Sequence, residues 1–273
     1  MKRLATAAVG VPLALVAIFR LSALGFFLVT AALLFWAAIE FAAIGRHWAP
    51  RAPWWVLLVA LPPVAAGLTW AILPGQGPIS AFWALAGGTL AGLGSGLAVL
   101  LGRTPVEQAL PAAGVMSIGL AYFAVPIASL VRLQQHSPWL LFLLLAIVWL
   151  GDTAAYYVGS AWGSRRLAPI VSPKKSWEGA IAGFLTSVAA TAVWSFWQRG
   201  DVDGRLLAVG AVTAVASQLG DLVESLWKRG AGIKDSGGVL PGHGGILDRM
   251  DAMLAAAPVM LLMLWAVGYE GMP

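Results

Sequence analysis

Three acidic residues in the C-terminal part of the chain have a spacing that suits a metal site. Asp221 lies inside an apolar segment, and Asp248 and Asp251 stand three residues apart at the start of another. That spacing puts both carboxylates on one face of a helix, and all three acids can converge if the two segments pack side by side. Mg²⁺ takes hard carboxylate oxygens together with waters and substrate phosphates. We therefore predict Asp221 and Asp248 as Mg²⁺ ligands, with Asp251 and Asp152 as further ligands or supporting residues.

Simpler roles are open to each of these acids. Asp221 could form an ion pair with Lys228 on its own helix, or lie at a helix end that reaches water. Either Asp248 or Asp251 could cap a helix, but a cap explains one acid and not both. A carboxylate within hydrocarbon costs about 2.5–3.5 kcal/mol, so Asp221 needs a partner, a metal or water.

The segment between the two acidic sites, residues 230–245, is rich in glycine. Glycine lets backbone N–H groups approach an anion closely. A glycine-rich loop alone is most often only a flexible connection. Here basic or imidazole side chains accompany it, and acids flank it, which favours a metal with a bound polyphosphate. The side chains that add positive charge are Lys228, Arg229, Lys234 and His243.

A second polar stretch precedes the next apolar segment. It reads Ser172-Pro-Lys174-Lys175-Ser176. The two serines stand just ahead of a predicted helix N-terminus, where phosphate binds readily. The two lysines either contact phosphate or supply the positive charge typical of cytoplasmic loops.

The elements that position these residues are membrane helices. The chain of 273 residues is 60% hydrophobic and 11% charged, whereas soluble domains carry about 25% charged residues. We predict an all-α, polytopic membrane protein with about nine spans, since each needs about 20 apolar residues. The predicted spans are 4–19, 22–45, 54–73, 79–101, 111–131, 138–158, 179–197, 205–226 and 250–268. Tryptophans near span ends, Trp54 among them, are predicted as interface anchors.

The basic residues predict the orientation. With the N-terminus in the cytoplasm, 13 of the 17 Lys and Arg fall in cytoplasmic segments, as the positive-inside rule requires. The polar loops 159–178 and 227–249 then share the cytoplasmic face. Because the basic residues lie between apolar runs, we expect lipid headgroups and phosphates as partners and no nucleic acid. The chain has no cysteine, which excludes disulfides and thiolate metal sites.

The acidic residues predict where the chemistry lies. Only Glu40 and Glu107 occur before residue 152, and the other ten follow. We therefore predict a transmembrane scaffold over 1–135 and a catalytic transmembrane region over 136–273. Glu40 is predicted to be a buried polar contact.

These motifs resemble a known family. Ser225-Leu-Trp-Lys228-Arg229, then Lys234-Asp235, then Pro241-Gly-His243-Gly-Gly-Ile-Leu-Asp248-Arg249-Met-Asp251 is similar to the C-terminal signature of the phosphatidate cytidylyltransferase (CDP-diacylglycerol synthase) family. Gly151-Asp152 through Ser172-Pro-Lys-Lys-Ser-Trp-Glu-Gly179 resembles its preceding motif, and Ile39-Glu40-Phe41 falls at the usual place.

The resemblance implies that CTP and phosphatidate give CDP-diacylglycerol and pyrophosphate for phospholipid biosynthesis. It also implies a Mg²⁺-dependent homodimer with a second cation, in a bacterial inner membrane, with a cytoplasm-facing site. Its implied catalytic residues are Asp221, Asp248, Lys228, Lys234, Asp235 and His243. Its implied substrate-binding residues are Ser172, Lys174, Lys175, Ser176, Ser225, Arg229 and Arg249.

Two other interpretations stay open. An ion transporter or channel explains Asp152 and Asp221, but not a loop dense in glycine and basic residues. A related CTP-dependent enzyme that acts on an isoprenoid ether lipid or a polyprenol phosphate has the same motifs, because these contact phosphates and metal rather than lipid tails.

Overall fold

A computed structural model of the chain describes residues 2–72, 94, 96–100, 102, 104–238 and 244–269, with side chains described from residue 10 onward. The protein is mostly helical. Its helices are α1 (Lys2–Arg20), α2 (Ala23–Gly45), α3 (Trp55–Ala71), α4 (Val106–His136), α5 (Pro138–Trp162), α6 (Trp177–Arg199), α7 (Gly204–Gly230) and α8 (Leu247–Ala266).

Six helices of the described part, α2 and α4 to α8, are long and apolar enough to cross a membrane, and α3 is a shorter apolar helix. The structure therefore supports the predicted class, a helical multi-pass membrane protein. The predicted number of about nine spans is not confirmed, and the predicted span at 79–101 lies mostly outside the described residues.

The predicted polar loop between α5 and α6 contains a small hairpin, which the sequence did not predict. Strands β1 (Arg166–Ala168) and β2 (Ser172–Ser176) pair antiparallel, with Arg166 opposite Ser176 and Ala168 opposite Ser172. A carboxylate of α6 holds the hairpin at its base: Glu178 accepts hydrogen bonds from the Ser164 hydroxyl at 2.6 Å and from the Arg165 backbone at 3.2 Å.

The chain forms two compact units. The first comprises Met1–Arg132 and Gly230–Met250, and the second comprises Leu133–Arg229 and Asp251–Pro273. The glycine-rich segment thus belongs to the same unit as the N-terminal helices. The predicted division into scaffold and catalytic halves concerns function and stays a prediction.

The core of the first unit is aromatic and tightly packed. Phe41 of α2 meets the edge of Phe123 of α4, with ring centroids 5.6 Å apart. Trp54, predicted as an interface anchor, is only 3% exposed and donates its indole N–H to the Ala49 carbonyl. Gly45 leaves the space that the Trp54 ring fills, which explains why the ring turns inward.

In the second unit, α5 and α6 approach each other along a seam of small residues. A methyl group on Gly179 would come within 2.7 Å of the Ala155 carbonyl, and one on Gly183 within 2.8 Å of the Gly151 carbonyl. Ser187 donates to the Ile147 carbonyl across the seam at 2.7 Å. Small residues at four-residue spacing permit such close backbone contact, and the seam fixes α5 against α6.

Candidate active site

Four carboxylates and two lysines of the second unit interact with one another. Lys175 Nζ lies 2.6 Å from Asp221 Oδ2, and Lys228 Nζ lies 2.5 Å from Glu224 Oε2. The carboxylate of Asp152 is within electrostatic reach of Asp221 and Lys175. The carboxylate of Asp251 is within reach of Asp221, Glu224 and Lys228. We call this group the acidic cluster: Asp152, Asp221, Glu224 and Asp251, with Lys175 and Lys228.

Four elements of the second unit assemble the acidic cluster. α5 supplies one acid, β2 one lysine, α7 two acids and a lysine, and α8 one acid. α7 and α8 come close at Gly220, where a methyl group would stand 2.9 Å from the Asp251 carbonyl. α7 is tied to α6 by Gln218, whose amide donates to the Ala180 carbonyl at 3.0 Å. The side-by-side packing of the last two spans, expected from the sequence, thus brings Asp221 and Asp251 together.

The ion pairs differ from the simpler alternative that the sequence allowed. Asp221 pairs with Lys175 from the hairpin, not with Lys228 on its own helix. Lys228 pairs instead with Glu224, whose side chain is fully buried. Sequence reasoning missed Glu224 as a site residue. The signal was its four-residue spacing from Lys228, which places the two side chains together on one helix face.

The acidic cluster has more carboxylates than lysines. Its four carboxylates face two lysines, which leaves two negative charges when all are ionised. Among the described residues, no three His, Asp or Glu side chains are close enough to hold one metal ion by themselves. Mg²⁺ commonly uses only one or two carboxylates together with waters and substrate phosphates. The charge and the oxygen ligands of the cluster therefore suit a divalent cation that shares its ligands with a phosphate substrate.

Several predicted substrate-binding residues lie in the same unit as the acidic cluster. Arg229 donates through Nε to the Val171 carbonyl at 3.2 Å, next to β2. The Ser225 hydroxyl is 3.4 Å from Asp221 Oδ1, which is a weak hydrogen bond. Ser176 is buried and accepts from Gly179 N at 3.2 Å as the N-cap of α6, so its oxygen already has a structural partner. Ser172 is half-buried in β2 and Lys174 is exposed.

The first unit holds the remaining predicted site residues. Asp248 Oδ2 accepts hydrogen bonds from Gly245 N at 2.7 Å and Ser236 N at 3.0 Å. The Asp248 carboxylate therefore joins Ser236, within the glycine-rich segment, to Gly245 at its end. The convergence of Asp248 with Asp221 stays a prediction. The other residues of this group are exposed, namely Lys234, Asp235 and Arg249, and His243 lies outside the described residues.

Glu40 is buried, as predicted, and it contacts the same segment. Its carboxylate accepts from the Ser236 hydroxyl at 2.9 Å, from Ile246 N at 3.1 Å and from Leu247 N at 2.8 Å. The sequence did not reveal these partners, because about 200 residues separate Glu40 from them. Its one signal was a charged residue in an otherwise apolar helix.

The chain matches one known protein family over nearly its whole length and individual relatives over about half of it. It matches the sequence profile of the Cytidylyltransferase family over residues 1–267. It is 41% identical over 128 residues to the phosphatidate cytidylyltransferase of Haemophilus influenzae, which covers 45% of this chain and 44% of the relative. It is 40% identical over 158 residues to the protein of the same name from Pseudomonas aeruginosa, covering 56% and 58%.

A third relative of that name, from Staphylococcus haemolyticus, is 44% identical over 119 residues, which covers 43% of this chain and 46% of the relative. In these comparisons the chain spans about half the length of the relatives that it matches.

Proposed function

The chain belongs to the cytidylyltransferase family, and from this membership we propose that it joins CTP to phosphatidate, giving CDP-diacylglycerol and pyrophosphate. The observation that carries the proposal is the acidic cluster, which combines surplus carboxylates with lysines next to a helix N-terminus. Such a site suits a phosphate substrate with a divalent cation. The names of the relatives, all phosphatidate cytidylyltransferases, support the choice of substrates.

The reaction is a nucleotidyl transfer. An oxygen of the phosphatidate phosphate attacks the α-phosphorus of CTP, a new P–O bond forms, and the bond to the β-phosphate breaks to release pyrophosphate. A phosphate monoester has a second pKa of about 6, so the phosphate of phosphatidate is ionised at neutral pH without a general base. The protein contributes by positioning both substrates and by balancing the charge on the transferring group.

Magnesium suits the carboxylates of this chain, because one divalent ion balances the two surplus negative charges, and a second cation is expected by resemblance to the family. Asp221, Asp152 and Asp251 in the second unit, and Asp248 in the first, are the residues that would hold them. When bound, the ion would neutralise charge on the phosphates as pyrophosphate leaves. Lys175 and Lys228 lie within the acidic cluster, so they stand where phosphate oxygens would meet them. Lys234 and Arg249 are exposed basic residues available to the triphosphate or the lipid phosphate.

The membrane arrangement follows the charge pattern. We place nine spans in a bacterial inner membrane, with the N-terminus and both polar loops in the cytoplasm, where CTP is found. The lipid tails of phosphatidate would enter sideways between apolar helices. A homodimer is expected by resemblance to the family.

The test is pyrophosphate release by the purified protein with CTP, Mg²⁺ and a panel of lipid phosphates. We expect turnover with phosphatidate, and loss of turnover in Asp221→Asn. Turnover only with a polyprenol phosphate or an isoprenoid ether lipid would correct the acceptor. If no lipid phosphate gave pyrophosphate release, the proposal would be refuted and the transporter interpretation would be favoured.

A further inference from the structure

Glu40 connects an N-terminal helix with Ser236 in the glycine-rich segment and with the residues where the chain enters α8. The residue is 6% exposed, and three donors converge on its carboxylate. Oε2 accepts from the Ser236 hydroxyl and from Leu247 N, and Oε1 accepts from Ile246 N. One side chain of α2 thus holds the segment where it leaves Ser236 and where it enters α8.

The two backbone donors identify Glu40 as the cap of α8. The first N–H groups of a helix have no partner within it, and a negative charge near them is stabilising. Leu247 supplies such a group as the first residue of α8, and Ile246 directly precedes the helix. A cap usually comes from the residue just before the helix, whereas here it comes from α2.

The same network reaches Asp248. Ser236 donates its hydroxyl to Glu40 and its backbone N–H to Asp248. Glu40 therefore restrains the residue that holds one oxygen of Asp248, and it also restrains the helix turn on which Asp248 stands. A shift of the segment would move the Asp248 carboxylate with it.

Two glycines show how closely the segment wraps Glu40. A methyl group on Gly237 would come 2.6 Å from Glu40 Oε1, and one on Gly245 would collide with both Glu40 Oε2 and the Ser236 hydroxyl. Gly244 has φ +78°, a conformation that glycine adopts at no steric cost. The glycines that pack against Glu40 thus leave space for its carboxylate, which the surrounding backbone holds.

We propose that Glu40 is a positioning residue for the reaction: by capping α8 and binding Ser236, it holds Ser236 and the start of α8 together and thereby fixes the Asp248 carboxylate. The inference rests on the proposed function for its catalytic consequence, but its structural part is independent of any activity.

The decisive variant is Glu40→Gln, compared with Glu107→Gln. Glutamine has the size of glutamate but one acceptor oxygen, so its NH₂ group would face Ile246 N–H or Leu247 N–H. Glu107 is an exposed carboxylate in the first turn of α4, in the same unit, and has no role in the proposed machinery.

The first measurement is amide hydrogen exchange over residues 244–249 in purified protein without substrates. We expect exchange to be about ten- to hundredfold faster in Glu40→Gln, the range that loss of one charge-assisted hydrogen bond implies, and unchanged in Glu107→Gln. Exchange like that of the wild type in both variants would overturn the inference, whatever the activity. If Glu40→Gln does not fold, Ser236→Ala serves instead, because it removes one of the three donors; unchanged exchange in that variant overturns the inference equally.

The second measurement separates positioning from simple loss of folded protein. In pyrophosphate release, we expect Glu40→Gln to raise the half-saturating Mg²⁺ concentration several-fold as well as to lower kcat. A merely structural role would lower kcat in proportion to the folded fraction and leave the half-saturating Mg²⁺ concentration unchanged. That result would overturn the proposed positioning role in the reaction. If the wild type itself releases no pyrophosphate, the proposed function fails, and the exchange measurement alone decides whether Glu40 holds the segment.

Discussion

Replacing Lys175 by alanine tests whether the hairpin lysines contact substrate or only supply surface charge. Lys175 reaches Asp221 at 2.6 Å, and each side chain is about 30% exposed. Lys174 is exposed. Successive side chains of a strand point to opposite sides, so β2 directs only one of the two lysines toward the acidic cluster. We expect Lys175→Ala to impair turnover far more than Lys174→Ala.

The size of the effect follows from the partial burial of the pair. Exposed ion pairs contribute about 0.2–1 kcal/mol, and breaking a buried pair costs about 3–5 kcal/mol. A half-buried, charge-assisted contact lies between them, at about 1.5–3 kcal/mol, which corresponds to roughly a ten- to hundredfold change. Without Lys175, the four carboxylates of the acidic cluster face only Lys228. A polyanion such as CTP should then bind less tightly, whereas the affinity for a cation such as Mg²⁺ should not fall.

The assay is pyrophosphate release at saturating lipid, with CTP and Mg²⁺ each titrated. For Lys175→Ala we expect kcat/KM for CTP to fall by that factor, while the half-saturating Mg²⁺ concentration does not rise. Lys174→Ala and Arg165→Ala are matched controls, since each removes one positive charge from the same hairpin region. Equal small losses in all three variants would refute the reasoning and remove Lys175 from the site.

Three further outcomes are expected. Asp248→Asn should abolish turnover yet leave amide hydrogen exchange at 244–249 nearly unchanged, because its amide oxygen can still accept from both backbone donors. Asp248→Ala should abolish turnover and also speed up that exchange. Wild-type turnover by Asp248→Asn would exclude a metal role for Asp248. Gly183→Leu should prevent a stable fold, measured by thermal unfolding in detergent, since the α5–α6 seam has no space for the side chain; an unchanged unfolding temperature would contradict the packing. Single cysteines at Arg165 and Asp235 should react with an impermeant reagent only from the cytoplasmic side, and one at Met272 only from outside; the opposite pattern would reverse the topology.

The sequence predicted the elements whose signals are local. The span predicted at 22–45 matches α2 (Ala23–Gly45), because a long apolar run follows Ser22, which caps the helix by accepting from Gly25 N. The hairpin was not predicted, because its strands are short and lack alternating polarity, and Glu178 stabilises it from the next helix.

The candidate site was predictable in composition but not in pairing. Asp152, Asp221 and Asp251 stand out as acids in apolar segments, and the structure gathers them in the second unit. The partner of Asp221 was not predictable, because Lys175 reaches it from a strand 46 positions away in the chain, whereas Lys228 lies at helical spacing. Spacing identifies neighbours on one helix and carries no information about contacts made by folding.

The capping of α8 by Glu40 has a consequence for the order in which the protein is assembled. The two residues of each contact are 196 to 207 positions apart. A ribosome delivers α2 first, so its carboxylate enters the membrane long before its donors have been synthesised, and a buried unpaired charge is costly there. The Ser236 contact can form first, and the two backbone contacts form only when α8 arrives, so a chain interrupted before residue 236 lacks all three donors to Glu40.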